Sequence, residues 1–174
     1  QENYRVRIIM NFEKIMFGGA IAASFIFVIL IMSGNTDVFE DKSWEIEETC
    51  LEGTTHSGGI SHTHSYLSII IDGTEQYIPT NIGIQDSECP NGMRGIHTHD
   101  DSGKLHIETP SQLAAPVGAF FNIWGEVFNS EQILDSNTNS EYEIIMYVNG
   151  EINQDYENYI MLDNDVIEIH YQNK

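Results

Sequence analysis

The sequence predicts an α+β domain carried behind a single membrane-spanning helix, and three observations predict it. An uncharged apolar run occupies residues 15–33, β-branched segments punctuated by tight-turn pairs fill much of the remainder, and among them apolar residues recur once at helical spacing.

The run from Ile15 to Ser33, IMFGGAIAASFIFVILIMS, is long enough to cross a hydrocarbon core of about 30 Å at a rise of about 1.5 Å per residue. A cleaved signal peptide has a shorter apolar core and a small-residue cleavage site, which Gly34-Asn35-Thr36 does not supply, so the run reads as a retained anchor. Arg5, Arg7 and Lys14 precede it, whereas Asp37, Glu40, Asp41, Glu45, Glu47 and Glu48 follow it. Positive charge stays on the cytoplasmic side, so residues 1–14 are expected in the cytoplasm and the C-terminal domain outside it. Residues 34–55 are acidic and without period, as suits a spacer, and the folded domain is expected over 56–174.

Within that domain Tyr66–Ile71 is β-branched and apolar, Asp72-Gly73 is a tight-turn pair, and Glu75–Ile78 returns before Pro79, which together predict a hairpin. Gly95–His99 and Lys104–Glu108, joined by the turn formers Asp100-Asp101-Ser102-Gly103, predict a second. After Pro116, which suits the first turn of a helix, Val117, Phe120, Phe121, Trp124, Val127 and Phe128 follow helical spacing and predict one amphipathic helix packed on the sheet. Tyr142–Val148, the pair Asn149-Gly150 and the strand Val166–Tyr171 close the domain. This ending resembles that of ubiquitin-like β-grasp domains, which implies a β-grasp-like mixed sheet on one helix and says nothing of function.

The balance of 7 basic against 27 acidic residues would repel phosphate backbones, which excludes nucleic acid as a partner. The same field attracts cations, although acidity also serves solubility. The two cysteines, Cys50 and Cys89, follow the apolar run and so fall in the oxidising compartment, where a disulfide is expected; a thiolate metal ligand is the alternative.

The chemistry-bearing residues are histidines. His62-Thr63-His64, just before the first strand, and His97-Thr98-His99, inside the second hairpin, are two His-x-His pairs, and residues two apart on a strand share a face. If Asp101-Ser102 or Ser102-Gly103 forms a two-residue turn, strand pairing puts His97, His99, His106 and Glu108 on one face, because both registers keep that parity. Three imidazoles and a carboxylate are a ligand set for a divalent transition ion, with His62 and His64 able to complete or double the site. Imidazole ligands alone do not choose among zinc, copper, iron and nickel. Isolated histidines are more often ordinary side chains, and His56 and His170 are read that way. Asp100 and Asp101 are read as turn formers, with a role in orienting an imidazole as the alternative. Trp124, Phe120 and Phe121 are read as core, and Met93 alone in a loop is weak grounds for a copper ligand.

The run His62-Thr63-His64, Ile71-Asp72-Gly73, Ile78-Pro79, Asn81–Ile84, His97-Thr98-His99-Asp100, Ser102-Gly103 and His106-Ile107-Glu108 resembles a group of anchored bacterial and archaeal proteins that share this pattern. The similarity continues through Val117–Gly125 and spans about Ser61 to Tyr171, leaving the anchor outside. The composition and anchored form are also similar to proteins of ammonia-oxidising archaea, whose energy metabolism depends on copper. The resemblance implies copper in preference to zinc, and an accessory subunit of a copper-dependent membrane complex such as archaeal ammonia monooxygenase, with other membrane subunits as partners. No convincing nucleophile is present. The alternatives are a metalloenzyme whose three histidines leave a position open for water, with Glu108 as base or fourth ligand, and an interaction module that uses no metal.

Overall fold

The computed structural model describes residues 43–53 and 61–174. The apolar run 15–33 and His56 lie outside the described residues, and among the described residues no helix is long and apolar enough to cross a membrane.

Twelve elements of regular structure carry the argument. They are β1 (Cys50–Glu52), β2 (Ser61–Ile71), β3 (Thr74–Glu75), β4 (Gly92–Arg94), β5 (Ile96–His97), β6 (Lys104–Thr109), α1 (Val117–Trp124), β7 (Gln132–Ile133), β8 (Ser136–Asn137), β9 (Tyr142–Val148), β10 (Glu151–Asn153) and β11 (Val166–Asn173). The architecture is mixed α+β, mostly sheet with one α-helix among the described residues.

The main sheet runs β10-β9-β11-β2-β6-β5, with β3 paired to β2. At its centre β11 lies parallel to β2, while β6 and β9 are antiparallel to their neighbours. Alternation along each strand sorts the side chains into two faces. Leu67, Ile69, Ile96, Leu105, Ile107, Ile144, Met146, Ile167 and Ile169 are buried on one of them and join Val117, Phe120 and Phe121 of α1 in a single core. The other face of β2, β5 and β6 therefore receives His62, His64, His97, His106 and Glu108.

Several sequence expectations are corrected here. The helix stops at Trp124, because Gly125 adopts a left-handed φ of 84° and its N–H closes on Phe121 O at 2.9 Å; Phe128 reaches the core from the following loop, its ring 4.9 Å from that of Phe121. Asn149-Gly150 turns β9 into β10, and β11 pairs with β9 along its other edge. The first hairpin returns only through Thr74 and Glu75. The compact unit begins at Ser43, ahead of the boundary near His56 that the polar run suggests.

The physical reason for that early start lies in a few residues among the acids. Ile46, on a short 3-10 turn, is fully buried in the core. Arg94 Nη1 donates to Glu47 O at 2.6 Å, and Gly95 N donates to Thr49 O at 2.9 Å. Cys50 and Cys89 form a disulfide beside the β1–β4 pair, with Cα atoms 5.6 Å apart.

Candidate metal centre

Strand register builds the site. His106 on β6 stands directly opposite His64 on β2 and opposite His97 on β5, so three imidazoles form a row across three adjacent strands. Neighbouring strands are about 4.8 Å apart, which sets the spacing of the row. The rings of His64 and His106 are 4.6 Å apart, and those of His97 and His106 are 5.4 Å apart and nearly parallel.

His62 and His99 flank the row. The His62 ring lies 4.5 Å from His64, and the His99 ring lies 4.9 Å from His97 and 4.7 Å from His106. Two triplets result, His62, His64 and His106, and His97, His99 and His106, each with its ligand atoms within 4.8 Å of one another. Both contain His106. Glu108, opposite His62 on β6, places Oε1 3.2 Å from His62 Nε2 and is buried. It is a partner of His62 and stands outside both triplets.

The second His-x-His pair owes its geometry to the threonine within it. Thr98 is fully buried: its Oγ1 donates to Pro79 O at 2.9 Å and accepts from Ile82 N at 3.0 Å. Its backbone adds Thr98 N to Ile82 O at 3.1 Å and Asn81 N to Thr98 O at 3.0 Å. With Thr98 fixed against residues 79–82, the histidines on either side of it remain together even though β5 ends at His97. The sequence signal for this is the residue type alone, a hydroxyl side chain between two histidines.

Two further groups shape the cluster without being legible as site residues. Arg94 O lies 3.0 Å from His97 Nδ1. A carbonyl only accepts, so Nδ1 carries the proton and the lone pair of neutral His97 is on Nε2, which is buried. Asp163 Oδ1 accepts from His64 N at 3.0 Å, and Asn164 N donates to His64 O, so the loop before β11 clasps β2 at its second histidine.

The electrostatics favour the ligating form. Burial, followed by the nearby His97, His64, His99 and Lys104, lowers the pKa of His106 to about 3. Burial, then Lys104 and His62, lowers that of His64, against opposition from Asp163 and Glu108. An imidazole held neutral keeps the lone pair a metal needs.

Asp100 takes the turn role: its Oδ1 accepts from Ser102 N at 3.0 Å and from Ser102 Oγ, and these bonds hold its carboxyl below the usual range. Asp101 is exposed beside it. His170 lies on β11, its ring 5.3 Å from Tyr147, as an ordinary packed side chain. Met93 is fully buried on β4, and Cys50 and Cys89 are joined to each other, so the thiolate reading falls. Comparison with known proteins finds no family model, no curated protein and no solved structure that matches this chain.

Proposed function

We propose that this chain is a membrane-anchored, extracytoplasmic protein that binds a transition-metal ion, with copper preferred to zinc, and serves as an accessory subunit of a copper-dependent membrane complex. The observation that carries the metal reading is the row His64, His106 and His97 across three strands, with His62 and His99 beside it. Four imidazoles on one sheet face with a fifth, His99, against them offer no packing advantage over apolar or charged residues, whereas imidazole suits copper, zinc, iron and nickel.

The placement outside the cytoplasm rests on the apolar run 15–33 with its charge asymmetry, and the Cys50–Cys89 disulfide supports it, because such bonds persist in oxidising compartments. The preference for copper and the accessory role rest on the resemblance to the archaeal proteins. The order β6-β2-β11-β9, with a parallel central pair and α1 in the connection from β6 to β9, supports reading the fold as β-grasp-like.

Elemental analysis of the full chain taken from its native membrane, without contact with a metal-loaded resin, tests the proposal. Copper bound to the wild type and reduced at least tenfold in His106→Ala is the expected result. Zinc in place of copper would overturn the choice of metal, and a metal-free wild type that also fails to bind added copper or zinc would overturn the site.

A further inference from the structure

Resting on the metal-site reading above, we infer that the two triplets are successive positions for one ion, an outer loading position at His62, His64 and His106 and an inner retaining position at His97, His99 and His106, with His106 held in common. The two triplets differ in exposure in a consistent order. His62 is exposed, with 39 % of its side-chain surface accessible; His64, His106 and His99 are half-buried; His97 is fully buried.

The shared ligand makes the positions exclusive. A neutral imidazole carries one lone pair, whichever nitrogen bears it, so His106 holds one ion at a time. Charge points the same way. Two divalent ions on adjoining triplets would repel each other at short range; the nearby formal charges are the Glu108 carboxylate beside His62, Asp163 at the backbone of His64, Asp100 next to His99, and Lys104, which opposes a second cation. The arrangement admits a cation at its exposed end and lets it move inward by exchanging His62 and His64 for His97 and His99 while His106 stays bound. Nothing in the transfer changes the oxidation state of the ion.

The inner position is held by identifiable bonds. The His97 ring is fixed by its Nδ1 bond to Arg94 O, and its motif by Thr98, so the inner position is preorganised, which slows ligand loss. Release is then limited by the inner position and loading by the outer one.

Titration of the full chain with copper(II), with bound copper counted after removal of free ion and followed by electron paramagnetic resonance, tests the relay. The wild type is expected to saturate at a single copper. A His62→Gln/His64→Gln variant is expected to saturate at the same ratio but to load at least tenfold more slowly, and His99→Gln to release copper to a chelator at least tenfold faster than wild type. Circular dichroism of each variant establishes that it is folded, and the two variants alter opposite ends of the cluster, so failure of one leaves the other as the test. Two coppers per wild-type chain in the cluster, or unchanged loading and release in the folded variants, would overturn the relay while leaving the metal site standing. No copper bound by the wild type at any ratio would overturn both.

Discussion

His106 is central to the cluster because, among the described residues, it is the one side chain with histidines opposite it on both neighbouring strands. Its pKa near 3 in the folded chain compares with about 6.5 when exposed. Between these values the unfolded chain binds a proton that the folded chain does not, so this histidine destabilises the metal-free fold as pH falls from about 6.5 toward 3, and contributes no slope above that window. His106→Gln removes this proton uptake by the unfolded chain. Urea unfolding of metal-free protein at pH 4.5 and pH 7.5 is expected to show a smaller loss of stability on acidification in His106→Gln than in wild type. An equal loss in both would mean that His106 protonates as readily in the fold as in water.

At the scale of elements, the hairpin β5–β6 and the pairing of β6 with β2 hold the two triplets in register. The β5–β6 turn is fixed by Asp100, whose carboxylate accepts from Ser102, and by Gly103, which sits at φ 75°. Leu67 N donates to Gly103 O at 2.8 Å, tying the turn to the middle of β2. A Cβ on Gly103 would fall 2.2 Å from Leu67 O, so an L side chain meets both backbone strain and a clash with another backbone. Gly103→Ala is expected to lower stability by about 2–4 kcal/mol, read from the urea midpoint. Since the turn also sets the distance from His99 to His106, copper affinity should fall in the same variant; wild-type affinity in it would show that the turn is dispensable to the site.

For the whole molecule, the N-terminal part of the described unit is held by separate devices: burial of Ile46, the Arg94 bonds to Glu47 O and Asp86, and the disulfide. The disulfide joins residues 39 apart, which on the chain-entropy model stabilises the fold by about 4 kcal/mol. Cys50→Ser/Cys89→Ser is expected to lower the free energy of unfolding by about that amount in denaturant titrations, while copper binding persists, because the bond lies outside the histidine row. Loss of copper binding in a variant that remains folded would instead tie the 43–53 segment to the site.

Local sequence was sufficient wherever one period or one turn decided the outcome. Tyr142–Val148 is rich in β-branched and aromatic residues and forms β9 over those residues, Asp72-Gly73 turns the first hairpin, and the face shared by His97 and His106 follows from parity across a short turn. The extent of α1 was misread because Val127 and Phe128 continue the helical spacing, while a left-handed Gly125 has already ended the helix. Ile46 and Leu51 were lost among glutamates, since isolated apolar residues carry no periodic signal and their burial depends on partners at β4 and the core. The role of Asp163 at His64 lies 99 residues along the chain, beyond anything local spacing can register. By itself, then, the sequence determined the longer strands, the start of α1, the two His-x-His pairs and the common face of His97 and His106. The tertiary structure decided that β2 lies against β6 with His64 opposite His106, because pairing between strands distant in sequence is chosen by burial of the opposite, apolar face, where Leu67, Leu105 and Ile107 join the core.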